Sequence, residues 1–380
     1  MVTTISPDRL KQLLDSGEDF TLLDTRPEAS YESWHVRGAQ NYPFGTDEEL
    51  DGQPEEIEEL VGEDDRVVTI CAKGLSSGNL ATQLAEALED RDVNAVDGGM
   101  KAWSGVYDHV GIDLGESARA VQLQRRAKGC LSYVVGCAET GAAVAVDPTE
   151  DTDEAKAAAA EGDLTISAVI DTHVHADHVS GGRRLADDLD VPYYLSERAA
   201  DRDLDLAFEG LGRNETIEVG DLTVKALYTP GHTSEMLSVL VGDAAVVTAD
   251  TLHVNAVGRT ELEFGEGNGD EGARMLFESI HRTLLAEPDS LTVLPGHVTV
   301  TVEGEFEVGA PGEPITTTIH DARTGIDVLQ LDEGAFVERL ADPGEEPANY
   351  EDIIELNRGV RELAPEERTE LELGPNNCSA

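Results

Sequence analysis

The chain has 380 residues, of which 40% are hydrophobic, a length and composition that suit two folded domains. Its 78 acidic and 27 basic residues give a formal net charge of −51, which argues against nucleic acid and anionic membranes as partners. No apolar run reaches the roughly 18 residues of a membrane span, and the N-terminus lacks the basic and apolar regions of a leader, so we expect a cytoplasmic protein.

Strands and helices alternate in the first part of the chain. Ser6 is placed to cap a first helix. Strands are predicted over residues 20–24 and 66–71, and the second is apolar enough to be buried in a parallel sheet. A helix with apolar residues on one face is predicted over residues 78–90. This alternation predicts an α/β domain over residues 1–110.

The segment from Cys71 to Ser77 lies between a predicted strand and a predicted helix. A loop curled there would direct backbone N–H groups inward, and the helix N-terminus would add positive potential. Both effects would lower the pKa of the Cys71 thiol or hold an anion. From position alone, a buried and inert cysteine is an equally good interpretation.

Four motifs of this first domain together resemble a single rhodanese domain. They are Leu23-Asp-Thr-Arg-Pro27, Trp34-His-Val-Arg-Gly-Ala39, the Cys71 loop and Asp97-Gly-Gly-Met-Lys-Ala-Trp103. The resemblance implies that Cys71 carries sulfane sulfur as a persulfide, and that Lys73, Gly74 and Ser76 contact the sulfur substrate. The family loop often has an arginine where this chain has Ser76, so a donor less anionic than thiosulfate stays open, with Lys73 as a partial replacement for the cation.

A linker is predicted over residues 111–120, followed by a second domain over residues 121–380. Residues 130–135 and 142–147 are expected to pair as a hairpin around Gly141.

The cysteines show no CxxC pair, and a cytoplasmic location disfavours disulfides. They are Cys71, Cys130, Cys137 and Cys378. Cys130 and Cys137 lie in an apolar stretch and are interpreted as small core residues, and Cys378 as part of a frayed tail.

The segment Thr172–Gly182 offers several metal ligands within six positions, directly after a strand predicted over residues 166–171. These ligands are His173, His175, Asp177 and His178. Imidazole and carboxylate together suit a divalent ion such as zinc or iron.

Three later strands are predicted over residues 222–229, 244–249 and 291–294, and each is followed by another possible ligand. These ligands are His232, Asp250 and His297. Four strand ends of this kind predict that one sheet gathers the side chains into a metal site at its edge.

The series HxHxDH, PGHT, an Asp after an apolar strand, and PGH resembles the motifs of the metallo-β-lactamase superfamily over roughly residues 120–360. The resemblance implies an αββα sandwich behind the α/β rhodanese-like domain. Apolar periodicity over residues 336–340 and 353–356 adds a C-terminal helical extension.

Two branches of that superfamily compete for the reaction. A glyoxalase II-like thioester hydrolase would hold two metals, with Asp250 as the bridge. Its first metal would be bound by His173, His175 and His232, and its second by Asp177, His178 and His297. A persulfide dioxygenase would bind one Fe(II) through His173, His232 and Asp250, and its remaining histidines and Asp177 would fix the orientation of those ligands.

Two features favour the dioxygenase. Gly258-Arg259-Thr260-Glu261 resembles the Gly-Arg-Thr-Asp stretch of that branch, and Arg259 could pair with the carboxylate of a thiol peptide. Fusion to a rhodanese also makes chemical sense for an enzyme of sulfane sulfur. Against it, the dioxygenase pattern has Asp after the last histidine, where this chain has Val298.

We therefore expect a persulfide dioxygenase-like enzyme with one Fe(II) per chain. Its substrates would be O₂ and a low-molecular-weight thiol persulfide, glutathione- or γ-glutamylcysteine-like, and its products sulfite and the thiol. Cys71 would deliver sulfane sulfur to the thiol or pass it to sulfite. The alternatives are the hydrolase with two Zn(II) or mixed metals, and a sulfur- or redox-sensing module whose acidic surface docks a partner.

The high negative charge resembles that of proteins from salt-in halophiles, in which concentrated salt screens self-repulsion. We therefore expect a high-salt cytosol, and a homo-oligomer stays open.

Overall fold

The computed structural model describes most of the chain, namely residues 3–50, 58, 60–62, 64–88, 90–264, 269–340, 347 and 349–375. Cys378, predicted to lie in a frayed tail, falls outside the described residues. Within them no helix is both long and apolar enough to cross a membrane.

A parallel sheet of five strands organises the first 103 residues. Its strands are β1 (Thr3–Ile5), β2 (Thr21–Asp24), β3 (Ala39–Asn41), β4 (Arg66–Ile70) and β5 (Asp92–Val96), in the order β1-β5-β4-β2-β3. Its helices are α1 (Pro7–Ser16), α2 (Glu28–Ser33), α3 (Leu75–Ala87) and α4 (Gly99–Trp103). Apolar side chains form a separate buried cluster on each face of the sheet, in agreement with the burial predicted for β4 from its apolar middle. Ser6 caps α1, since its Oγ accepts a hydrogen bond of 3.1 Å from Arg9 N.

A seven-stranded sheet follows directly. Its strands are β6 (Tyr107–Asp113), β7 (Ala118–Arg125), β8 (Leu131–Cys137), β9 (Ala142–Val146), β10 (Thr165–Ile170), β11 (Tyr193–Ser196) and β12 (Glu209–Leu211), in consecutive order. Its helices are α5 (Thr152–Glu161), α6 (Gly182–Leu189) and a 3₁₀ turn (Glu197–Arg202). The predicted hairpin is confirmed, because β8 and β9 pair antiparallel around Gly141.

A six-stranded sheet completes the fold. Its strands are β13 (Thr216–Val219), β14 (Leu222–Tyr228), β15 (Leu237–Val241), β16 (Ala245–Ala249), β17 (Thr292–Pro295) and β18 (Thr317–Thr318), again in consecutive order. Its helices are α7 (Gly269–Arg282), α8 (Ile319–Gly325) and α9 (Glu333–Leu340), with 3₁₀ turns at Leu284–Ala286 and Asp327–Gln330. Two C-terminal helices follow, α10 (Tyr350–Asn357) and α11 (Pro365–Leu371).

The second and third sheets pack face to face over one large apolar cluster that includes Tyr133, Val144, Val239 and Val247. A second cluster lies between the third sheet and helices α7, α8 and α9, and a third lies between the second sheet and helices α5 and α6. The layers are therefore helix, sheet, sheet, helix, the αββα sandwich that the resemblance implied.

The predicted linker over residues 111–120 is replaced by a hairpin. Strands β6 and β7 pair antiparallel along their length, from Tyr107 with Arg125 to Asp113 with Arg119. The glycine and acidic residues are typical of a linker, but here they form the turn between the two strands. Gly115 in this turn has a φ of +82°. The chain passes from the first sheet to the second between Trp103 and Tyr107.

Candidate metal centre and cysteine loop

The predicted ligands come together where strands of two sheets end. Strand β10 of the second sheet leads into the loop that carries His173 to His178, whereas β14, β16 and β17 of the third sheet lead to His232, Asp250 and His297. The expectation that one sheet supplies all four strand ends is therefore wrong. Two facing sheets supply them, because the sandwich brings their ends to the same rim.

The first ligand group consists of His173, His232 and Asp250, all buried. Asp250 Oδ2 lies 3.7 Å from His173 Nε2 and 3.4 Å from His232 Nε2. Ligand atoms that each lie about 2 Å from a shared ion are roughly 3 to 4 Å apart, so the spacing fits a metal. His173 Nε2 and Asp250 Oδ2 are buried with no hydrogen-bond partner among the described residues, as a ligand set requires.

Hydrogen bonds fix which nitrogen of each histidine faces the group. Thr172 Oγ1 gives its proton to Asp147, at 2.9 Å, and so accepts from His173 Nδ1 at 2.9 Å. His232 Nδ1 lies 2.8 Å from the carbonyl oxygen of Arg259, which can only accept. Both Nδ1 atoms therefore carry the proton, and both Nε2 lone pairs are left for a metal.

The charges of this group also suit metal binding. Burial and the neighbouring His175 and His232 lower the pKa of His173 well below its usual value, so its imidazole is neutral. Burial opposes ionisation of Asp250, but His297 and His253 hold the pKa of its carboxyl well below its usual value. A neutral His173 imidazole beside an ionised Asp250 carboxylate is the combination of protonation states that a metal requires.

A second group contains Asp177, His178 and His297. Asp177 Oδ2 lies 2.9 Å from His297 Nε2 and 3.0 Å from His178 Nδ1. His297 Nδ1 donates to Asp250 Oδ1, so this imidazole joins the two carboxylates. Burial alone would lower the pKa of His297, but the two carboxylates raise it well above its usual value.

Cys130 is a fourth member of the second group. It is buried, as expected, but its Sγ lies 3.3 Å from Asp177 Oδ2. The interpretation of Cys130 as a core residue is therefore incomplete, whereas Cys137 does belong to the apolar core. An apolar neighbourhood in the sequence gives no sign of a carboxylate 47 residues away.

His175 lies beside His173 and forms a further group with the carboxylates of Asp147 and Asp171. Its ring centroid is 4.1 Å from that of His173, and its Nε2 lies 3.2 Å from Asp147 Oδ1. Its Nδ1 is buried and has no partner among the described residues. Asp147 ends β9 as Asp250 ends β16, so the pattern of strand followed by ligand could have identified it.

Three residues that sequence reasoning missed hold this centre in place. His253 Nε2 lies 3.4 Å from Asp250 Oδ1, and its position three residues after Asp250 is the one signal that the sequence offers. Glu235 Oε1 accepts a hydrogen bond of 2.9 Å from Val174 N. Asn357 Nδ2 donates to the carbonyl oxygens of His175 and His178, at 2.9 and 2.8 Å. The last two contacts link distant segments and leave no local signal.

The C-terminal segment also contacts both candidate sites. We call residues 171–181, between β10 and α6, the metal loop. Glu372 is buried, accepts a hydrogen bond from Val179 N of this loop, and pairs with Arg125 at 2.8 Å. Two residues earlier, the exposed Glu370 pairs with Lys73 of the cysteine loop at 2.6 Å.

The guanidinium of Arg259, which is predicted to bind substrate, is held by a neighbouring carboxylate. Arg259 is 4% exposed, and its Nε donates to Glu261 Oε1 at 2.6 Å. Its backbone carbonyl, rather than its guanidinium, contacts the candidate ligand His232. Glycine at position 258 permits this backbone path, because a Cβ at that position would clash with the carbonyl oxygen of Asp250.

The Cys71 thiol lies at the start of α3, as the sequence predicts. Gly74 N donates to Cys71 Sγ at 3.0 Å, and Ser77 Oγ does so at 3.2 Å. Burial raises the pKa of Cys71, but hydrogen bonds from Ser77, Ser76 and the backbone outweigh it, and the pKa is lowered. This environment favours a thiolate over an inert cysteine.

The rest of the cysteine loop is held by its neighbours. Ser76 Oγ lies 2.7 Å from Thr25 Oγ1, and the side chain of Lys73 is 58% exposed and paired with Glu370. Met100 N, in α4, donates to the Cys71 carbonyl at 2.7 Å. Gly99 has a φ of +60°, and a Cβ there would clash with that same carbonyl, so the loop and the glycine pair of the predicted motif fit together.

Comparison with known proteins agrees with both resemblances. The rhodanese-like domain family matches residues 6–105, and the metallo-beta-lactamase superfamily matches residues 125–297. The probable metallo-hydrolase YqgX of Bacillus subtilis is 32% identical over 155 residues, which are 36% of this chain and 71% of that protein.

Relatives from both competing branches are found at similar distances. Hydroxyacylglutathione hydrolase of Nitrosococcus oceani is 30% identical, over 44% of this chain and 61% of that protein. The mitochondrial persulfide dioxygenase ETHE1 of Mus musculus is 27% identical, over 45% of this chain and 65% of that protein. This chain thus spans less than two thirds of either.

The crystal structure of ETHE1 from Myxococcus xanthus superposes with a TM-score of 0.54 and 28% identity, and covers 63% of this chain and 97% of that one. Motifs, fold and relatives agree, and the chain belongs to the metallo-beta-lactamase superfamily, with a rhodanese-like domain in front of that fold.

Proposed function

We propose that this protein is a persulfide dioxygenase with an attached sulfurtransferase domain. The reaction is RSSH + O₂ + H₂O → RSH + SO₃²⁻ + 2H⁺, in which the terminal sulfur is oxidised, O₂ is reduced, and the S–S bond breaks. The thiol would be a small glutathione- or γ-glutamylcysteine-like molecule. The persulfide follows the activity of one relative, the persulfide dioxygenase ETHE1, and the glutathione-like thiol follows that of another, hydroxyacylglutathione hydrolase.

The observation that carries this proposal is the way in which Asp250 divides its two oxygens. Oδ2 faces His173 and His232, whereas Oδ1 accepts a hydrogen bond from His297 Nδ1. A carboxylate arranged in this way offers Oδ2 to an ion beside the two histidines while Oδ1 is engaged by His297. Two imidazoles and one carboxylate on one face, with positions left open, are the ligand set of non-haem Fe(II) oxygenases.

His173, His232 and Asp250 would hold one Fe(II). Bound there, the iron supplies the capacity to bring together persulfide sulfur and O₂ and to transfer electrons between them. Thr172 and the Arg259 carbonyl keep both imidazoles oriented, and His297 and His253 keep the carboxylate ionised and in place. The buried surroundings limit the access of bulk water to the sulfur.

Cys71 would exchange sulfane sulfur with a small thiol or with sulfite. Transfer to a thiol breaks the S–S bond of the Cys71 persulfide and forms that of the new persulfide, Cys71-SS⁻ + RS⁻ → Cys71-S⁻ + RSS⁻. Transfer to sulfite gives thiosulfate. The hydrogen bonds from Gly74 and Ser77 stabilise Cys71 as the leaving thiolate in either direction.

Arg259 contributes to the proposal mainly through its backbone. Its guanidinium already pairs with Glu261, so binding of a substrate carboxylate would have to replace or share that partner.

The test is metal content and O₂ uptake of the anaerobically purified full-length protein in molar KCl. With glutathione persulfide or γ-glutamylcysteine persulfide, we expect about one catalytic iron per chain, O₂ consumption and sulfite release. His232→Ala should lose that iron and the O₂ uptake. Cys71→Ala should lose sulfur transfer, with Cys137→Ala, a core substitution outside both sites, as its control.

Thioester hydrolysis is the second candidate. The buried Nδ1 of His175, close to His173, could complete a three-histidine site of the kind that a dinuclear hydrolase needs. Hydrolysis of an acyl-thioester without O₂ uptake would favour it. Absence of turnover with both substrate classes would favour a sensing module instead.

A further inference from the structure

Glu370, near the end of helix α11, contacts the loop that presents Cys71. Its Oε1 lies 2.6 Å from Lys73 Nζ and 3.5 Å from Lys101 Nζ. Lys73 is the second residue after Cys71. Lys101 N donates to the Ala72 carbonyl at 3.1 Å, so Lys101 borders the same loop. One carboxylate from the C-terminal helix thus engages two cations beside the reactive thiol.

Contacts on both sides of Glu370 hold its backbone in this place. Two residues earlier, Arg368 Nη1 donates to Glu150 Oε1 at 2.8 Å. Two residues later, the buried Glu372 pairs with Arg125 at 2.8 Å. Because the backbone is anchored, only the side chain of Glu370 has to be ordered for its carboxylate to reach the two lysines.

The charge of Glu370 reduces what the lysines can offer to an incoming anion. Lys73, which donates a hydrogen bond to it, and Lys101 lower the pKa of the Glu370 carboxyl, so this carboxylate is ionised wherever the Cys71 thiolate exists. Its negative charge offsets one of the two positive charges at the loop. Lys73 is therefore already occupied at the position where the sequence suggests a replacement for the missing loop arginine.

Sulfur donors differ in how much negative charge they bring close to Cys71. Thiosulfate is a compact dianion, whereas an organic persulfide has a single charge at its reacting sulfur and any others farther along the molecule. The attacking group is itself a thiolate, so a compact dianion approaches it readily only where free cations offset the repulsion. The availability of Lys73 and Lys101 therefore decides between these two classes of donor.

We propose that Glu370 sets the donor specificity of Cys71, by competing with compact dianions for Lys73 and Lys101 and so favouring organic persulfides over thiosulfate. In the favoured step, Cys71-S⁻ + RSS⁻ → Cys71-SS⁻ + RS⁻, the S–S bond of the donor breaks, that of the Cys71 persulfide forms, and a thiolate leaves. The disfavoured step is Cys71-S⁻ + S₂O₃²⁻ → Cys71-SS⁻ + SO₃²⁻, with sulfite as the leaving group. Sulfite is also a compact dianion, so the same competition opposes it as an acceptor, and Cys71 exchanges sulfur with thiols in preference to sulfite. This inference rests on the proposed role of Cys71 as a sulfur carrier, and not on the reaction at the metal centre.

The test compares thiosulfate with cysteamine persulfide, in which an ammonium group offsets the persulfide charge. Loading of Cys71 in the full-length protein is followed by mass spectrometry as the gain of one sulfur atom, with Cys71→Ser as the blank. In about 0.1 M KCl, Glu370→Gln should load from thiosulfate about fivefold faster than wild type, because a unit charge about 4 Å from another in water changes binding by roughly that factor. Its rate with cysteamine persulfide should change by less than about twofold, and the gain with thiosulfate should shrink in molar KCl, where charges are screened over about 3 Å.

Glu366→Gln is the matched control, because it removes a charge from the same helix, where the group that Lys101 contacts is the backbone carbonyl of Glu366, at 3.0 Å. Its thiosulfate rate should stay within about twofold of wild type. Lys73→Gln combined with Glu370→Gln should lose the gain, and normal loading of these variants from cysteamine persulfide shows that their cysteine loop is folded. An unchanged thiosulfate rate in Glu370→Gln, or an equal gain in Glu366→Gln, overturns the proposal and leaves sulfur transfer by Cys71 intact. Failure of both donors to load wild-type Cys71 overturns sulfur transfer itself, and the proposed specificity with it.

Discussion

The substitution Glu372→Gln tests how the C-terminal segment holds the metal loop. Glu372 and Arg125 pair at 2.8 Å, and their side chains are only 4% and 5% exposed. Glutamine keeps the shape but removes the charge, which leaves Arg125 ionised and buried without its partner. Such a loss typically costs about 3 to 5 kcal/mol of unfolding free energy, and we expect the lower end, about 3 kcal/mol, because Arg125 keeps a hydrogen bond of 2.7 Å to the Ser104 carbonyl.

The assay is urea unfolding in molar KCl, with Glu370→Gln as the matched control. Glu370 lies two residues away and also forms an ion pair, but its side chain is 46% exposed and that of Lys73 is 58% exposed. Exposed pairs contribute little, so this variant should unfold at nearly the wild-type urea concentration. Equal shifts for the two variants would refute the reasoning.

The effect of Glu372→Gln should also depend on pH in a defined direction. Burial raises the pKa of Glu372, but Arg125 and Lys128 outweigh it, and the pKa in the folded protein is lowered. The stabilisation is therefore complete above the unfolded-state pKa, about 4.3, and is lost as the pH falls through the lower folded-state pKa. The difference between wild type and variant should be full at neutral pH and shrink in acid.

Three further predictions concern the metal loop, the cysteine loop and the surface. Asn357→Ala removes two hydrogen bonds to the His175 and His178 carbonyls and one from Ser180 N. At about 1 kcal/mol for each bond, the substitution should lower the unfolding free energy by about 3 kcal/mol and reduce the iron content of the purified protein. Urea unfolding and metal analysis would measure these effects, and an unchanged unfolding midpoint would contradict the prediction. Ser77→Ala removes a hydrogen bond to the Cys71 thiolate, which should raise the pKa of Cys71 and move the pH profile of sulfur transfer to higher pH. An unchanged profile would show that Ser77 does not lower the pKa of Cys71. The melting temperature should rise steadily with KCl up to molar concentration, because salt weakens the repulsion among the charges that give the chain its net charge of −51. The distance over which charges repel each other falls from about 10 Å at 0.1 M salt to about 3 Å at 1 M. A melting temperature that does not change with KCl would exclude self-repulsion as a major contribution to stability.

The grouping of the candidate metal ligands was predictable from sequence because each follows its own strand within a few residues. His173, His232 and Asp250 come together for a reason that is local to each segment, a buried strand that ends at a polar residue. What the sequence did not reveal is that two sheets supply those strands. Their common rim is a consequence of packing between layers, and each strand's pattern describes only its own two faces.

Other parts of the site were missed because their roles are set by distant partners. Cys130 looks like a core residue among apolar neighbours, and only the bridge to His297 turns its thiol toward Asp177. Asn357 and Glu372 lie in helical, acidic sequence that resembles any solvated surface, yet their side chains accept or donate hydrogen bonds at the metal loop. The linker prediction failed for a related reason, since a glycine- and acid-rich turn looks alike in a linker and in a hairpin.

The C-terminal segment gives a physical reason for the two domains to act as one protein. Glu370 contacts the loop that presents Cys71, and Glu372 contacts the loop that presents the metal ligands. The first contact is exposed and weak, and the second is buried and costly to break. Displacement of Glu370 alone would therefore free Lys73 with little loss of stability, whereas displacement of the whole segment would leave Arg125 without its carboxylate. The segment should stay anchored at the metal loop, while Lys73 can exchange Glu370 for another partner without disturbing the hydrogen bonds that hold the cysteine loop.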